Sequence, residues 1–277
     1  MKIKLIQIPK GEFIIGSTPS EVDEQIVNNP QSDKRLFERQ LPQHELFLET
    51  YQISKYPITN IQFENFINDT GYKTTAQVEG WGYHFDKEMK QINGACWNHP
   101  HGPKSNINNK KNHPVVMVSW FDTQEFCRWL SKETSKEYRL PTEAEWEKAA
   151  RGSKGNIWPW GNNWDQEKCN SNNQVGTTTE VEAYATGGDS FYGCCDMVGN
   201  VLEWTSTTIG KVEPWPAKFT YPYNPSDGRE DLNSNTRRVG RGGTYQRNAD
   251  FCRCAFRFAD MPKDRYSSMG FRIVCIE

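Results

Sequence analysis

The sequence predicts a single α+β domain that is irregular and rich in loops, with little regular secondary structure. Three observations support this fold class. Helical spacing is confined to the chain before Ser153, strand-like alternation occurs only in short pieces, and the rest is rich in glycine, asparagine and aromatic residues. With 14 Phe, 11 Tyr and 10 Trp, aromatic rings fill much of the core, which argues against a bundle or a parallel α/β sheet. No linker divides the sequence, so we expect one domain over residues 1–277.

Three helices have recognisable sequence signals. In the first, apolar residues recur at helical spacing and Gly71 follows as a stop. In the third, Thr142 and Glu145 form a capping box, in which each side chain bonds a backbone amide at the start of the helix. The predicted helices are Thr59–Asp69, about Trp120–Ser131, and the segment from Thr142 to Gly152.

Short strands and two long loops account for most of the remaining pattern. Strand-like alternation occurs at Lys4–Ile8, Phe13–Ile15, Glu45–Ile53 and Val115–Val118. The segments Ser17–Gln43 and Gly210–Arg237 show no regular pattern, and loops of that length are uncommon in compact domains. We therefore expect both loops either to move or to be pinned from outside the core, for example by a bound cation.

The composition of the chain indicates which classes of partner the protein could bind. The 33 basic and 35 acidic residues give a net charge of −2, so the sequence offers no electrostatic reason to bind nucleic acid or an anionic membrane. No stretch of about 18 apolar residues predicts a transmembrane helix. The first residues lack the apolar core and cleavage site of a signal peptide, so we expect a cytoplasmic protein. Its partner would be a peptide, a protein or a small molecule, and its oligomeric state stays open.

Eight cysteines could form disulfides, but that use is typical of short secreted chains. Cys252 and Cys254 stand out, because in a strand over Phe251–Phe256 positions i and i+2 share a face. Two thiolates on one face could hold Cu(I) or Zn²⁺, or the two side chains could simply pack.

The segment Asp196–Trp204 brings two carboxylates, a glycine and an asparagine together. A turn at Gly199 could direct backbone carbonyls at a Ca²⁺ ion while Asp196 and Glu203 supply charge, since Ca²⁺ takes six to eight oxygen ligands. On spacing alone, an ordinary turn backed by a buried Trp204 is the more common outcome.

The C-terminal segment, about residues 238–275, is rich in arginine and follows a Gly-Gly bend at Gly242 and Gly243. A basic concavity lined by aromatic rings could bind a carboxylate or a peptide backbone through bidentate arginine contacts. The alternative, and the more common one, is that these arginines pair with acidic residues of the helices. No nucleophile elbow, phosphate-binding loop or HExxH zinc motif occurs.

A series of short motifs follows along nearly the whole chain: Gly11–Ser17, Lys55–Phe63, Trp97–Pro103, His113–Trp120, Tyr138–Glu147, Trp158–Gly161, Asp196–Trp204, Arg241–Gly243 and Gly270–Arg272. In content and order they resemble the formylglycine-generating enzyme, or sulfatase-modifying factor, family. The resemblance implies a C-type-lectin-like fold with long loops and bound calcium. It assigns one Ca²⁺ to the side chains of Asp196 and Glu203 and the carbonyls of Gly199 and Val201, and a second Ca²⁺ to a site near Asn170 and Ser171.

The same resemblance implies two departures from the family's chemistry. The founding enzymes oxidise a sulfatase cysteine to formylglycine with O₂, using Cu(I) held between two thiolates after the Gly-Gly-Ser bend. At the matching positions this chain has Arg247 and about Ala249, and Leu202 replaces a tryptophan of the pocket floor.

Cysteines elsewhere also lack their family partners. The resemblance places Cys254 opposite Ala150, and Cys127 opposite Ile273 unless Cys275 substitutes.

Two functions follow as expectations. The first is an oxidative tailoring enzyme that acts on a peptide or an amino-acid-derived substrate, with Cu or Fe as its metal and Cys252 and Cys254 as possible copper ligands. The alternative is a non-catalytic, C-type-lectin-like ligand-binding protein, such as the variable protein of a diversity-generating retroelement or a partner subunit of an active relative. For either function the predicted pocket residues are Leu202, Thr244, Tyr245, Arg247, Cys252, Cys254 and Arg257; for a variable protein, Phe251, Phe256, Phe258 and Tyr266 would join the surface contacts.

Overall fold

A computed structural model describes residues 3–85 and 88–276. The strands are β1 (Leu5–Ile8), β2 (Gly11–Ile15), β3 (His44–Leu48), β4 (Tyr51–Ser54), β5 (Trp81–Phe85), β6 (Met89–Asn93), β7 (Glu137–Arg139), β8 (Leu202–Gly210), β9 (Arg237–Arg241), β10 (Phe258–Asp260), β11 (Met269–Phe271) and β12 (Val274–Ile276). The helices are α1 (Pro19–Asn28), α2 (Arg35–Glu38), α3 (Asn60–Thr70), α4 (Thr75–Glu79), α5 (Trp120–Thr134), α6 (Glu143–Arg151) and α7 (Ala185–Gly188), with 3-10 turns at Gln166–Lys168 and Ala249–Cys252. The predicted α+β class is confirmed. None of the helices in these ranges is long and apolar enough to cross a membrane.

Two four-stranded sheets form the framework. The first has the order β1–β4–β12–β7 with antiparallel neighbours, and the second has the order β10–β9–β8–β11, in which β11 runs parallel to β8. The hairpins β2–β3 and β5–β6 stand apart from both sheets. Because β11 and β12 belong to different sheets, the two residues between them, Arg272 and Ile273, join the sheets.

Capping signals located two helices well. The Thr59 and Gln62 side chains form a capping box before α3, and Gly71 ends the helix with a φ of 66°. Thr142 and Glu145 form the capping box predicted for α6. α5 continues to Thr134, beyond its predicted end, and the cap there is a left-handed serine.

Two strand predictions need correction. The segment Glu45–Ile53 is divided between two strands, β3 and β4, which belong to different sheets. Val115–Val118 is not a strand. Its amides bond the carbonyls of separate segments, with Val115 donating to Ile58 and Met117 to Tyr266, and the left-handed φ of 60° at Met117 breaks any continuous ladder.

The segment Ser17–Gln43, predicted as a loop, contains the two helices α1 and α2. α1 begins with a capping box between Thr18 and Glu21, a signal that was readable in the sequence. Its buried Gln25 bonds the amide of Gln40, and the amide of Ser17 bonds the Gln40 carbonyl, so protein contacts close this segment at both ends.

The second predicted loop, between β8 and β9, stays irregular but is anchored by side chains. Arg229 is almost fully buried, binds both carboxylate oxygens of Asp227, and lies over the ring of Tyr223. The Tyr223 hydroxyl donates to Glu230, which also accepts from Thr207 in β8. These side-chain contacts anchor the loop between β8 and β9, for which a bound cation was one expectation from the sequence.

The core divides into aromatic and mixed clusters. The largest packs Phe63, Phe126 and Phe271 together, with edge-to-face contacts between rings. Cys127 lies in this cluster together with Ile273, and Cys254 lies in the cluster around Trp146 together with Ala150, the residues that the family resemblance places opposite them. All eight cysteines are buried and free of disulfides.

Candidate functional site

A buried ion-pair layer lies under the C-terminal segment. Each guanidinium is at most 1 % exposed, and each carboxylate is fully buried. Buried charges are tolerated when they are paired and hydrogen-bonded, and each guanidinium of the layer binds a carboxylate, although Nε of Arg241 has no partner. The layer consists of Arg151 and Arg241 with Glu147, Arg257 with Glu143, and Arg272 with Glu203.

Helix α6 supplies two of the three carboxylates, which gives the layer its position. Glu143 and Glu147 are one helical turn apart and therefore share the face that packs on β8 and β9. Burial acts to raise the pKa of Glu143, but Arg257 and Arg241 outweigh it and hold that pKa below its usual value. The carboxylate is therefore ionised, and the arginines that follow β9 are held in place by charge. Pairing with helix acids, the more common alternative for these arginines, is what the structure shows here.

The Gly-Gly bend follows directly from this layer. Gly242 and Gly243 adopt φ values of 100° and 73°, which residues other than glycine rarely adopt. A Cβ on Gly243 would lie 2.7 Å from the carbonyl oxygen of Phe251 and 2.8 Å from the sulfur of Cys252. The bend therefore requires glycine, and it turns Thr244 towards the surface cavity described next.

A cavity of about 100 Å³ opens beyond the bend, and three predicted pocket residues, Leu202, Thr244 and Arg247, meet there. The β5–β6 hairpin covers one side with Phe85 and Met89, and the Gln246 side chain bonds the Phe85 carbonyl. Its full lining is Phe85, Met89, Leu202, Thr244, Gln246, Arg247, Phe258, Asp260, Tyr266, Ser268 and Met269.

A larger depression of about 410 Å³, the arginine cleft, adjoins this cavity. The two share Arg247, Phe258 and Asp260, so they form one continuous surface. The arginine cleft is lined by Ser32, Asp33, Arg35, Leu36, Arg39, Val212, Glu213, Trp215, Arg237, Arg247, Phe251, Phe258, Ala259 and Asp260.

Arg247 lies at the junction. Its guanidinium lies 4.6 Å from the ring centre of Phe85, 5.2 Å from that of Phe251 and 5.8 Å from that of Phe258. Burial lowers the pKa of Arg247, although the group stays cationic at any physiological pH. On the opposite side, burial and the neighbouring Asp264 raise the pKa of Asp260 to about 6.

Four other predicted pocket residues do not reach this surface. Tyr245 is 1 % exposed and Arg257 belongs to the buried ion-pair layer. Cys252 and Cys254 are fully buried in the cluster around Trp146. Of the further contacts expected for a variable protein, Phe256 is also fully buried, whereas Phe251, Phe258 and Tyr266 line the cleft or the cavity.

A strand over Phe251–Phe256, the condition for Cys252 and Cys254 to share a face, does not form, because Ala249–Cys252 is a 3-10 turn. Cys252 and Cys254 therefore have no strand to place them on a common face. Burial raises the pKa of Cys254 to about 12 and that of Cys252 well above its usual value, which disfavours the thiolate that a metal needs. Within residues 3–85 and 88–276, no group of three His, Cys, Asp or Glu side chains is arranged to hold a metal. Copper at this pair stays a prediction.

The residues expected to bind calcium are adjacent. The amide of Asn200 bonds the carbonyl of Asn170, which places the two predicted sites side by side. Three oxygens in this region are buried without a hydrogen-bond partner: Oδ2 of Asp196, Oδ1 of Asn170 and Oγ of Ser171. Burial raises the pKa of Asp196 to about 7. Orphaned oxygens of this kind are the ligands that Ca²⁺ prefers, so these side chains fit the expected ion.

Glu203 differs from the other expected ligands. Its two oxygens accept from Nε and Nη2 of Arg272, at 2.6 and 2.8 Å, and from the indole of Trp146 at 2.7 Å. To coordinate a cation, its carboxylate would have to be shared with Arg272 or released from it. The sequence pattern did not show this competing role, since Arg272 is 69 residues away.

The sequence did not predict most residues of the arginine cleft. Arg35 begins α2 and Arg39 directly follows that helix, whereas Trp215 and Arg237 come from the β8–β9 connection and its end, all within segments predicted as loops. Phe85 reaches the cavity from a hairpin that was not predicted. Only Thr18 and Glu21, the capping box of α1, gave a signal that the first of these segments is structured.

The chain is similar in sequence to proteins of one known family. Residues 2–276 match the family model described as "Sulfatase-modifying factor enzyme 1-like domain". The formylglycine-generating enzyme of Mus musculus is 30% identical over 97% of this chain and 74% of its own length. The inactive C-alpha-formylglycine-generating enzyme 2 of Bos taurus is 29% identical over 98% of this chain and 87% of its own length.

Two solved structures share the fold. PvdO from Pseudomonas aeruginosa superposes with a TM-score of 0.71 at 21% identity, covering 99% of this chain and 94% of its own. Treponema denticola variable protein 1 superposes with a TM-score of 0.65 at 20% identity, covering 98% of this chain and 94% of its own. The expected family fold is confirmed by these matches.

Proposed function

Because the chain belongs to the sulfatase-modifying factor family, we propose that it binds a ligand in its cavity and arginine cleft without two-thiolate copper chemistry. One observation carries the proposal: Arg247 occupies the first position where the family resemblance implies a copper-binding thiolate, and its guanidinium lies on the wall of the cavity. A guanidinium is cationic and cannot donate a lone pair to a metal.

The thiols close to this position do not replace the missing pair. The Cys252 sulfur is 3.9 Å from the carbonyl oxygen of Arg247, but its side chain is fully buried beneath the bend. Its raised pKa keeps it a neutral thiol. Neither Cys252 nor Cys254 lines the cavity or the cleft.

The relatives support a binding role. The family includes a close relative whose name describes it as inactive, at 29% identity, so this sequence distance is compatible with loss of catalysis. A protein called variable protein 1 shares the fold over nearly all of both chains, so the fold is not confined to proteins named as formylglycine-generating enzymes.

The second candidate is an oxidative tailoring enzyme that acts on a peptide or an amino-acid-derived substrate. It is favoured by the 30% identity to the mouse enzyme over 97% of this chain. Such an enzyme would use Cu or Fe held by residues other than the family's thiolate pair.

Oxygen uptake distinguishes the two candidates. Protein purified without chelators is supplied with Cu(I) or Fe(II) and a cysteine-containing peptide, and O₂ consumption is recorded beside its Cys252→Ser and Cys254→Ser variants. We expect all three proteins to match the rate of the metal and peptide alone. Faster consumption by the wild type that either substitution removes would overturn the binding proposal in favour of the enzyme.

Ligand binding is tested independently with fragments. A mixed set of anionic, neutral and cationic fragments is titrated against the protein while backbone and methyl resonances are followed by NMR. We expect shifts at Leu202, Thr244 and Met269, which line the cavity, and their loss in Leu202→Trp, because the larger side chain takes up space in a cavity of only about 100 Å³. Shifts confined to residues outside the cavity and the cleft would contradict the proposed site.

Calcium would serve the framework of this binding protein. Asp196, with the carbonyls of Gly199 and Val201, would hold one ion, with Glu203 shared between that ion and Arg272. Asn170 and Ser171 would contribute to a second. The support is the set of buried oxygens that lack hydrogen-bond partners. A bound cation would neutralise the Asp196 carboxylate and order the turn that precedes β8.

Residence in a reducing compartment such as the cytoplasm completes the proposal. Its support is that all eight cysteines are free and buried, whereas proteins of oxidising compartments commonly pair them. Mass measurement after alkylation of protein isolated from its native cells is expected to show eight reactive thiols upon unfolding.

A further inference from the structure

We propose that the arginine cleft takes the anionic end of its ligand, a carboxylate or a phosphate, with an aromatic or apolar body beside it. This inference rests on the proposed ligand binding and names the class of ligand that the site would select. It concerns the three cleft arginines Arg39, Arg237 and Arg247.

The arginines of the cleft differ from those of the buried ion-pair layer in whether they bind a carboxylate. Each guanidinium of the buried ion-pair layer binds a carboxylate directly. Among the described residues, Arg39, Arg237 and Arg247 form no ion pair: Arg237 donates to the carbonyl of Ala259, and Arg247 has aromatic neighbours. Three cationic groups therefore border one depression without an anionic partner at contact distance.

Arg39 shows the cost of this arrangement. Its Nε atom is buried and has no hydrogen-bond acceptor. Burial, together with repulsion from Arg257 and Arg237, lowers its pKa to about 10. A buried donor without a partner is destabilising, and this donor belongs to a side chain that lines the cleft. An anionic ligand would satisfy the donor and relieve the repulsion together.

The acidic residues of the cleft do not cancel this charge. Asp33 and Glu213 both bind Arg35, so these three groups together carry one negative charge. Asp260 accepts from the hydroxyl of Tyr266 and lies opposite Arg247. At neutral pH, the four guanidinium groups that line the cleft exceed its three carboxylates by one charge, and the field in the cleft favours an anion.

The rest of the wall describes the other part of the ligand. Trp215, Phe251 and Phe258 line the same cleft as the three arginines. Guanidinium groups bind carboxylates and phosphates in a bidentate manner, whereas the flat rings offer contact area to an apolar or aromatic group. An anion joined to such a group would engage both parts of the wall.

The test uses probes matched in shape and different in charge. Binding of 3-phenylpropionate, 3-phenylpropyl phosphate, 3-phenylpropanol and 3-phenylpropylamine is measured by titration calorimetry and NMR at low and high salt. We expect the two anions to bind at least tenfold more tightly than the alcohol, the amine to bind least, and salt to weaken only the anions. Comparison of the two anions shows whether a carboxylate or a phosphate is preferred.

Variants locate the effect. Arg39→Gln and Arg237→Gln are each expected to weaken anion binding about tenfold and to leave the alcohol unchanged. The matched control is Arg128→Gln, which changes an exposed arginine paired with Glu125 on α5 and should have no effect. A thermal melt of each variant verifies the fold.

Several results would overturn the proposal. Equal affinity for the anions, the alcohol and the amine would show that charge does not select the ligand, although ligand binding itself would stand. Absence of anion binding, with neutral or cationic fragments still shifting Leu202 and Thr244, would have the same meaning. Anion binding that Arg39→Gln and Arg237→Gln leave unchanged would place the anion elsewhere.

Discussion

Arginines occur in two regions of this molecule under opposite conditions. In the buried ion-pair layer, Arg241, Arg257 and Arg272 bind carboxylates within a closed core. In the arginine cleft, only a few residues away along the chain, Arg237 and Arg247 have no such partner among the described residues. The residue type and the C-terminal segment are shared, so the sequence alone does not separate the two groups.

The difference teaches how one segment can serve both structure and binding. A buried and fully paired charge fixes geometry, because any displacement would leave its partner unsatisfied. An unpaired charge at a cleft adds little to stability and leaves its hydrogen bonds available. The layer can therefore hold β8, β9 and the Gly-Gly bend rigid while the cleft remains free to accept a ligand.

The largest effect is expected when the layer itself is broken. Glu147→Gln leaves Arg151 and Arg241 buried without their shared carboxylate, so the free energy of unfolding should fall by about 3–5 kcal/mol. Urea denaturation measures this change. The control Glu125→Gln removes an exposed pair and should cost less than about 0.5 kcal/mol. Similar losses in the two variants would remove the distinction between buried and exposed pairs.

A second prediction concerns Asp196, a buried acid. Its Oδ2 atom has no hydrogen-bond partner, just as Nε of Arg39 has none. Its folded-state pKa of about 7 lies above the usual 3.8, so the folded chain binds this proton more tightly than the unfolded chain. Without Ca²⁺, its contribution to stability is complete below pH 3.8 and is lost as pH rises through about 7, at no more than about 1.4 kcal/mol per pH unit.

Melting temperatures in chelator and in Ca²⁺ measure this effect at pH 5 and pH 8. We expect Asp196→Asn to be less sensitive to pH than the wild type in chelator. Added Ca²⁺ should stabilise the wild type most at pH 8, where the carboxylate is ionised, and should have little effect on Asp196→Ala combined with Glu203→Ala. If the melt of the double variant responds to Ca²⁺ as the wild type does, calcium does not bind at these residues.

The smallest effect is expected in the cleft. Arg39→Gln removes a cation that Arg257 and Arg237 repel, so stability should change by less than about 1 kcal/mol, towards a more stable protein. Arg257→Gln makes the same substitution in the buried layer and should cost about 3–5 kcal/mol, because Glu143 loses its partner. Comparable losses from the two substitutions would mean that Arg39 is a structural residue.

The sequence was most informative where a signal is local. The ends of α3 and α6 could be predicted from Thr59 and Thr142 and the stops that follow them, because caps depend on neighbours within one helical turn. The family motifs likewise predicted the fold, since they extend along nearly the whole chain. The strand predicted over Val115–Val118 was wrong, because an alternation of side chains does not show which carbonyls the backbone amides bond.

The site could be predicted only in part, and the reason is again one of distance along the chain. Leu202, Thr244 and Arg247 follow from the Gly-Gly motif and its family equivalents, and all three meet at the cavity. The contribution of Arg39 depends on how the segment before β3 packs against the C-terminal segment, more than 200 residues away. No local pattern carries that information, just as none showed that Glu203 binds Arg272.

Strand β12 carries a consequence for how the chain is made. It lies between β4 and β7 in the first sheet, and Arg272, just before it, completes the pair with Glu203. While the ribosome is still adding residues 270–276, the nascent chain has neither the inner strand of that sheet nor the partner of a buried carboxylate. The domain can therefore reach its native state only after this segment has left the exit tunnel, and until then β4 and β7 lack the strand that joins them.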